Sequence, residues 1–248
     1  MPAVEIPLNL SVGELLRRPN RFIFYGIADG REQRWHCPVT GTIGMINDFH
    51  GLQCLFTPAE AVGKRTTHGT VEAISLNGGV DWIGINQNRI NGWVESLLRK
   101  NALSAMIDCD GCNIRREVKI DNSRIDIAVE NGSDITFLEL KTPTRDFLML
   151  PGDQFSRPPS QTYFDRGLRH FATLAKLSQA GHRTIVALCF MYKAIQFGAQ
   201  ERTKWNAKII DTITEANRSG VENWQINLKI TPTSLSVTDC KQTTYRSD

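Results

Sequence analysis

Asp126, Glu139 and Lys141 in this 248-residue chain have the types and spacing for hydrolytic chemistry. They fall within Ser123–Lys141, SRIDIAVENGSDITFLELK, where two alternating apolar runs flank the polar turn Glu130-Asn131-Gly132-Ser133-Asp134. Asn-Gly between such runs is the strongest short-range sign of a hairpin. With the turn centred on Gly132–Ser133, Ile125 faces Leu140, Ile127 faces Leu138, and Asp126 faces Glu139. A slip of one residue would set acids against leucines, which a buried face resists. Strand side chains alternate, so Glu139 and Lys141 share a face. Two carboxylates brought together repel, and each prefers to be protonated unless a cation lies between them. Mg²⁺, with Mn²⁺ as a substitute, meets that need through one or two carboxylates and substrate phosphate. The expected ligands are Asp126, Glu139 and the main-chain carbonyl of Leu140. Lys141 then orients or helps deprotonate an attacking water. Glu117 is a further ligand, a partner of one, or half of a surface ion pair.

The acid-x-Lys triplet discriminates little by itself, because Glu117-Val118-Lys119 and Asp239-Cys240-Lys241 repeat it. The apolar run Ile135–Leu140, the preceding turn and the facing Asp126 set the Glu139 copy apart. A structural ion pair is the competing reading. An Asp followed on the next strand by Glu-x-Lys resembles the pattern of the PD-(D/E)XK nucleases, and implies metal-dependent cleavage of DNA or RNA.

Length and composition allow one large domain or two modest ones, each with a real core. Apolar content of 41% and charged content of 22% are ordinary for a globular chain. No apolar run of spanning length and no basic-then-apolar leader occur, which points to a cytoplasmic protein without membrane partners. A net charge of +3 permits nucleic-acid binding without demanding it. The six cysteines do not suggest a disulfide framework, and Cys109-Asp110-Gly111-Cys112 reads as a turn with two incidental thiols. Neither G-x-G-x-x-G nor G-x-x-x-x-G-K is present, so no nucleotide cofactor is expected.

The elements that must position the site follow in order. Ser11-Val12-Gly13-Glu14 fits a capping box, so a short helix ending at Pro19 is expected in an arm over 1–20. Residues 21–86 read as short strands at Phe22–Ile27, Gln33–Cys37, Thr42–Ile46, Leu52–Phe56, Thr70–Leu76 and Val80–Ile85. Their Gly-rich turns suggest a small OB-like barrel. Arg31, Arg34, Trp35, Lys64 and Arg65 are then candidates for holding a single strand, with Trp35 equally suited to the core. From 87 to 240 the pattern becomes α/β, with a short tail over 241–248. Trp93, Val94, Leu97 and Leu98 mark a helix with Asn91 as candidate N-cap, and a strand Ile114–Ile120 follows. After the hairpin, Thr142–Pro159 reads as a loop. Gln161–Ala180 is an amphipathic helix whose Arg166, Arg169, His170 and Thr173 form a polar face. Arg166 and His170 are candidates for contacting substrate phosphate. Thr184–Phe190 is a strand buried on both faces, Lys204–Arg218 a helix, and Trp224–Ile230 and Leu235–Val237 strands. The fold class is thus α+β, an OB-like barrel followed by an α/β sandwich around a mixed sheet.

Three segments, in order, resemble the SfsA family of sugar fermentation stimulation proteins. They are Asp29-Gly30-Arg31 with His36-Cys37-Pro38-Val39-Thr40-Gly41; Glu117-Val118-Lys119 with Ser123-Arg124-Ile125-Asp126 and Glu139-Leu140-Lys141; and Arg166-Gly167 with His170-Phe171. Val39 stands where the family's HCPNTG stretch has Asn, and Asp165 where its ERG has Glu. The resemblance implies an OB-like domain, a PD-(D/E)XK nuclease-like domain, DNA binding and a link to maltose-metabolism genes. Beside the nuclease stand two other readings: a non-catalytic DNA-binding regulator on a nuclease scaffold, and a module for a small anionic ligand.

Overall fold

A computed structural model describes residues 4–39, 41, 43–44, 46–60, 66–143, 161–195 and 207–243, with the backbone alone for 161–166. Lys64, Arg65, Lys204, Trp205 and the expected loop from residue 144 to 159 lie outside the described residues.

The first part of the chain is built from β1 (Glu5–Pro7), β2 (Ser11–Asn20), β3 (Ile23–Ala28), β4 (Arg31–His36), β5 (Gln53–Pro58), β6 (Gly69–Ser75) and β7 (Ile83–Gly84). Strands β2 to β7 pair in the order β4-β3-β2-β5-β6-β7. The parallel pairs Trp35↔Gly69 and His36↔Thr70 join β4 to β6 and close five strands into an OB-like barrel. Trp35 is 0% exposed and stacked on Phe56 at 4.6 Å between centroids, so it belongs to the barrel core. Its indole lies where side chains on β2 and β3 would otherwise be. A Cβ on Gly26 would come 2.1 Å from Trp35 Cζ3, and one on Gly13 2.6 Å from Trp35 Cη2.

The second part runs from a 3-10 turn, Gln87–Arg89, into α1 (Ile90–Arg99) and then β8 (Asn113–Ile120), β9 (Ser123–Asn131) and β10 (Asp134–Lys141). After these come α2 (Gln161–Gln179), β11 (Arg183–Phe190), α3 (Ala207–Arg218), β12 (Glu222–Ile230) and β13 (Ser234–Gln242). Among the described residues these strands and β1 form a mixed sheet in the order β1-β13-β12-β11-β10-β9-β8. The β10-β11-β12 centre is parallel and both flanks are antiparallel. Helix α1 buries Trp93, Val94, Leu97 and Leu98 against Ile127, Val129, Leu138 and Leu140. On the opposite face Leu174 of α2 and Ala216 of α3 pack on Ala128, Phe137 and Val186. Strand β11 has apolar neighbours on both sides, which explains its unbroken run of apolar residues.

Several local expectations are corrected. Residues Ser11–Asn20 form a strand of the barrel rather than a capped helix in an arm, since Glu14 pairs with both Ile27 and Gln53. The Ser-x-x-Glu signal is local, and long-range pairing overrides it, helped by a Gly13 that suits the Trp35 contact better than a helix. The expected strand Thr42–Ile46 is a turn at its described positions, with Gly44 at φ 55° and Ile46 N donating to Ile43 O. Strand β7 is shorter than expected, and β13 extends through Asp239-Cys240-Lys241. Cys109 and Cys112 are joined in a disulfide across the turn at Gly111, not left as two thiols. Among the described residues no helix is long and apolar enough to cross a membrane.

Gly26→Ala must displace both the Trp35 ring and the Glu14 carbonyl. It is expected to lower barrel stability by about 2–3 kcal/mol, seen as a lower urea midpoint at unchanged slope, whereas Gly41→Ala, with open space around it, is neutral.

Candidate metal and nucleic-acid site

The β9–β10 ladder has the expected register, with Ile127 opposite Leu138, and it ends at that pair. Asp126 and Glu139, next in line, are therefore not a ladder pair. Instead the Asp126 carboxylate reaches across to β10, where Leu140 N donates to Oδ2 at 2.8 Å. Alternation along β9 breaks at the same place. Ile127 and Val129 pack with α1, whereas Ile125 packs with the cluster under α2 and α3. Asp126 thus sits at a kink where two strands part. Across β8 the partner position is irregular too. Glu117 falls between the pairs Arg116↔Ile127 and Val118↔Ile125 and takes φ 55°, a left-handed conformation rare for Glu. Such an outlier brings strain to one point beside the site. Asn91 of α1 donates to both acids, to Asp126 Oδ1 at 3.0 Å and to Glu117 Oε1 at 3.2 Å. Arg124 lies 3.6 Å from the other Glu117 oxygen.

Glu139 projects from β10 toward α2 and is 2% exposed. Its Oε1 is held by Lys141 Nζ at 2.5 Å and by His170 Nδ1. Its Oε2 is buried with no hydrogen-bond partner. Burial pushes the Glu139 carboxyl up, but the His170 and Lys141 contacts outweigh it and hold the group below the usual range. Asp126 goes the other way. Burial first, and then the charge of Glu139, raise it, with the Leu140 and Asn91 donors opposing. One acid is therefore held as an anion, and its charge is felt by a second, half-buried acid with no cationic hydrogen-bond donor. Among the described residues no group of three or more His, Cys, Asp or Glu side chains is placed to hold a metal. An ion here would take two carboxylates and complete its shell with main-chain oxygen, water or phosphate, which suits Mg²⁺. The orphaned Glu139 oxygen fits such an ion.

The other candidate residues divide. Lys141 and His170 join the site, with His170 buried at 6% exposure against Glu139. The polar stripe of α2 that suggested a solvated or phosphate-facing His170 thus includes an inward-facing member. Arg34 lies on the barrel, its backbone N bonded to His68 Nδ1, and is not brought to these acids. The Arg166 side chain, Lys64 and Arg65 lie outside the described residues. Sequence reasoning missed three groups. Asn91 was read as an N-cap, but it lies one residue inside α1, whose N-cap is Arg89 without a side-chain cap bond. Gln87, four residues earlier, donates to Thr142 O at 2.7 Å just beyond Lys141. The available signal was two carboxamides set close together at the entry to the helix that precedes the hairpin. The third group is the like-charged pair Lys119↔Arg124, both exposed on β8 and β9 beside Glu117 and Asp126.

Residues 88–234 match the family model for the sugar fermentation stimulation protein RE domain. A sugar fermentation stimulation protein homolog of Alcanivorax borkumensis is 30% identical over 216 residues, covering 84% of this chain and 86% of that one. One from Shewanella woodyi is 26% identical over 243 residues, covering 94% and 97%. Among solved structures, that of Pyrococcus furiosus SfsA in complex with Ca²⁺ superposes with a TM-score of 0.69 at 25% identity, covering 97% of both chains.

Removing His170 leaves a buried carboxylate with one donor fewer. His170→Ala is expected to cost about 2–3 kcal/mol at neutral pH in urea unfolding, and His170→Gln, which keeps a donor, less.

Proposed function

This chain belongs to the sugar fermentation stimulation protein family, and on the chemistry of its site we propose that it is a cytoplasmic, metal-dependent nuclease that binds DNA or RNA. The reading is carried by one observation: Glu139 Oε2 is buried without a partner, beside an Asp126 that burial and the Glu139 charge both push toward protonation. A divalent cation held by Asp126, Glu139 and the main-chain carbonyl of Leu140 satisfies the orphaned oxygen and relieves the repulsion. The Ca²⁺ complex of the Pyrococcus relative supports binding of a hard divalent ion, which oxygen ligands such as these suit. When bound, Mg²⁺ or Mn²⁺ supplies a Lewis acid for the phosphoryl oxygen and makes a bound water more acidic.

The remaining work belongs to the chain itself. Lys141 is 30% exposed at its side chain, so its ammonium reaches both Glu139 and the solvent side. From there it orients the attacking water and steadies charge developing on phosphate. Glu117 adds a carboxylate at the solvent edge, 51% exposed at its side chain. Lys119 and Arg124 face each other across the hairpin, and the exposed Glu117 carboxylate 3.6 Å from Arg124 offsets only part of their repulsion, so a further anion over the pair is favoured. A phosphate backbone is such an anion. Arg34 on the barrel adds a cation for sequence-tolerant strand binding, and Lys64, Arg65 and Arg166 stay candidates for the same role from their residue types.

A second reading also has an observation behind it. Glu139 Oε1 is already neutralised from within by Lys141 and His170, as suits a DNA-binding regulator of sugar-metabolism genes that keeps the site for ion pairing alone.

Labelled single- and double-stranded DNA and RNA, incubated with Mg²⁺ or Mn²⁺, are expected to be cut, and chelator abolishes the cutting. Asp126→Ala lowers the rate at least about a hundredfold. Salt-sensitive retention without metal-dependent cutting would establish the regulator instead. The double variant Lys119→Glu/Arg124→Glu is expected to weaken binding to every sequence and to reduce the slope of log affinity against log salt by about 2.

A further inference from the structure

The two acids of the site are held by different kinds of donor. Glu139 is gripped by charged or chargeable groups on one oxygen, Lys141 and His170, while its other oxygen has no partner. Asp126 is held by neutral donors on both oxygens, the Leu140 amide at 2.8 Å and the Asn91 carboxamide at 3.0 Å. Two donors on two oxygens fix the plane of a carboxylate. A carboxylate oxygen has two lone-pair directions, so a single neutral donor leaves each oxygen able to accept again. A lysine or arginine in place of Asn91 would orient Asp126 as well, but it would cancel the charge that attracts a cation.

Asn91 is also firmly supported. It lies in the first turn of α1, directly after the 3-10 turn that carries Gln87, whose bond to Thr142 O ties that turn to the end of β10. The residue just before Gln87 is tied to the barrel. Asn86 Nδ2 donates to the buried carboxylate of Glu72 at 2.8 Å, and Thr57 Oγ1 donates to the same group at 2.7 Å. The second Asn91 contact reaches Glu117, whose left-handed backbone turns that carboxylate toward the same amide. One uncharged group therefore joins three of the elements that meet here, α1, β8 and β9.

We propose that Asn91 is a positioning residue. Its carboxamide fixes Asp126, and brings Glu117 beside it, in the orientation that accepts a divalent cation, without neutralising either acid. The inference rests on the cation reading above, and it adds a determinant of affinity that no comparison assigns.

Calorimetric titration of Ca²⁺ and of Mn²⁺ into chelator-treated full-length protein tests it, for the wild type, Asn91→Ala, Asn91→Leu and Asp126→Ala. Circular dichroism and thermal melts in chelator establish which variants fold. The Leu variant keeps the bulk of Asn91 without a donor and is read if the Ala variant does not fold. The expected result is cation binding by the wild type, 10–100-fold weaker binding by the Asn91 variants, and none by Asp126→Ala. The Asn91 variants would also show a smaller rise in melting temperature on adding Ca²⁺. Wild-type affinity in a folded Asn91 variant would overturn the positioning role and leave the cation site standing. Absence of binding by the wild type itself would overturn both.

Discussion

The site is shaped by the cost of keeping two carboxylates out of water near one another. Taking a single ionised group into a protein interior costs several kcal/mol, and a second of the same sign adds repulsion. The surrounding residues answer that cost with different means. Lys141 and His170 supply hydrogen bonds to one oxygen of Glu139, and the parting of β9 from β10 frees a main-chain amide for Asp126. The irregular points in this part of the sheet, the ladder end at Ile127↔Leu138 and the left-handed Glu117, lie around these acids. A regular hairpin would have satisfied its backbone with backbone and left Asp126 without the Leu140 amide.

Rigidity comes from outside the hairpin. The turn that begins α1 is held at Glu72 of the barrel, which is 2% exposed and accepts from Thr57 and Asn86, with Arg89 3.7 Å away. The same turn holds Thr142 and Asp126 through Gln87 and Asn91. The barrel and the sheet therefore meet at the segment that orients the site. A buried acid with several donors keeps its geometry well, because each lost partner leaves a desolvated charge behind.

Much of this was legible in the sequence, because its signals are local. Asn131-Gly132 and the alternating runs around it set the hairpin and its register, and the 3.6-residue period marked the three α-helices among the described residues. The family resemblance was carried by short segments in order, and the comparisons confirm it. What escaped depended on partners far away in the chain. Ser11–Asn20 carries a helix-start signal that its pairing with β3 and β5 overrules. His170 sits on a polar stripe that reads as solvated until Glu139, thirty-one residues earlier, is found beneath it. Asn91 has the residue type of a cap, and only the fold shows that its amide faces two acids. In each case the local preference is worth a fraction of a kcal/mol, and a buried contact exceeds it.

The pairing of β1 with β13 closes the chain on itself. Glu5, Ile6 and Pro7 lie against Ser236, Leu235 and Ser234, so β1 stays without its neighbour until the β12–β13 hairpin is made. The barrel can assemble in the meantime from nearby segments, whereas the sheet edge must wait. Loop closure over so many residues slows folding far more than it weakens the product. The junction also brings two far-apart segments of the polypeptide side by side, so the register of this sheet edge is set by the fold as a whole and not by any local turn.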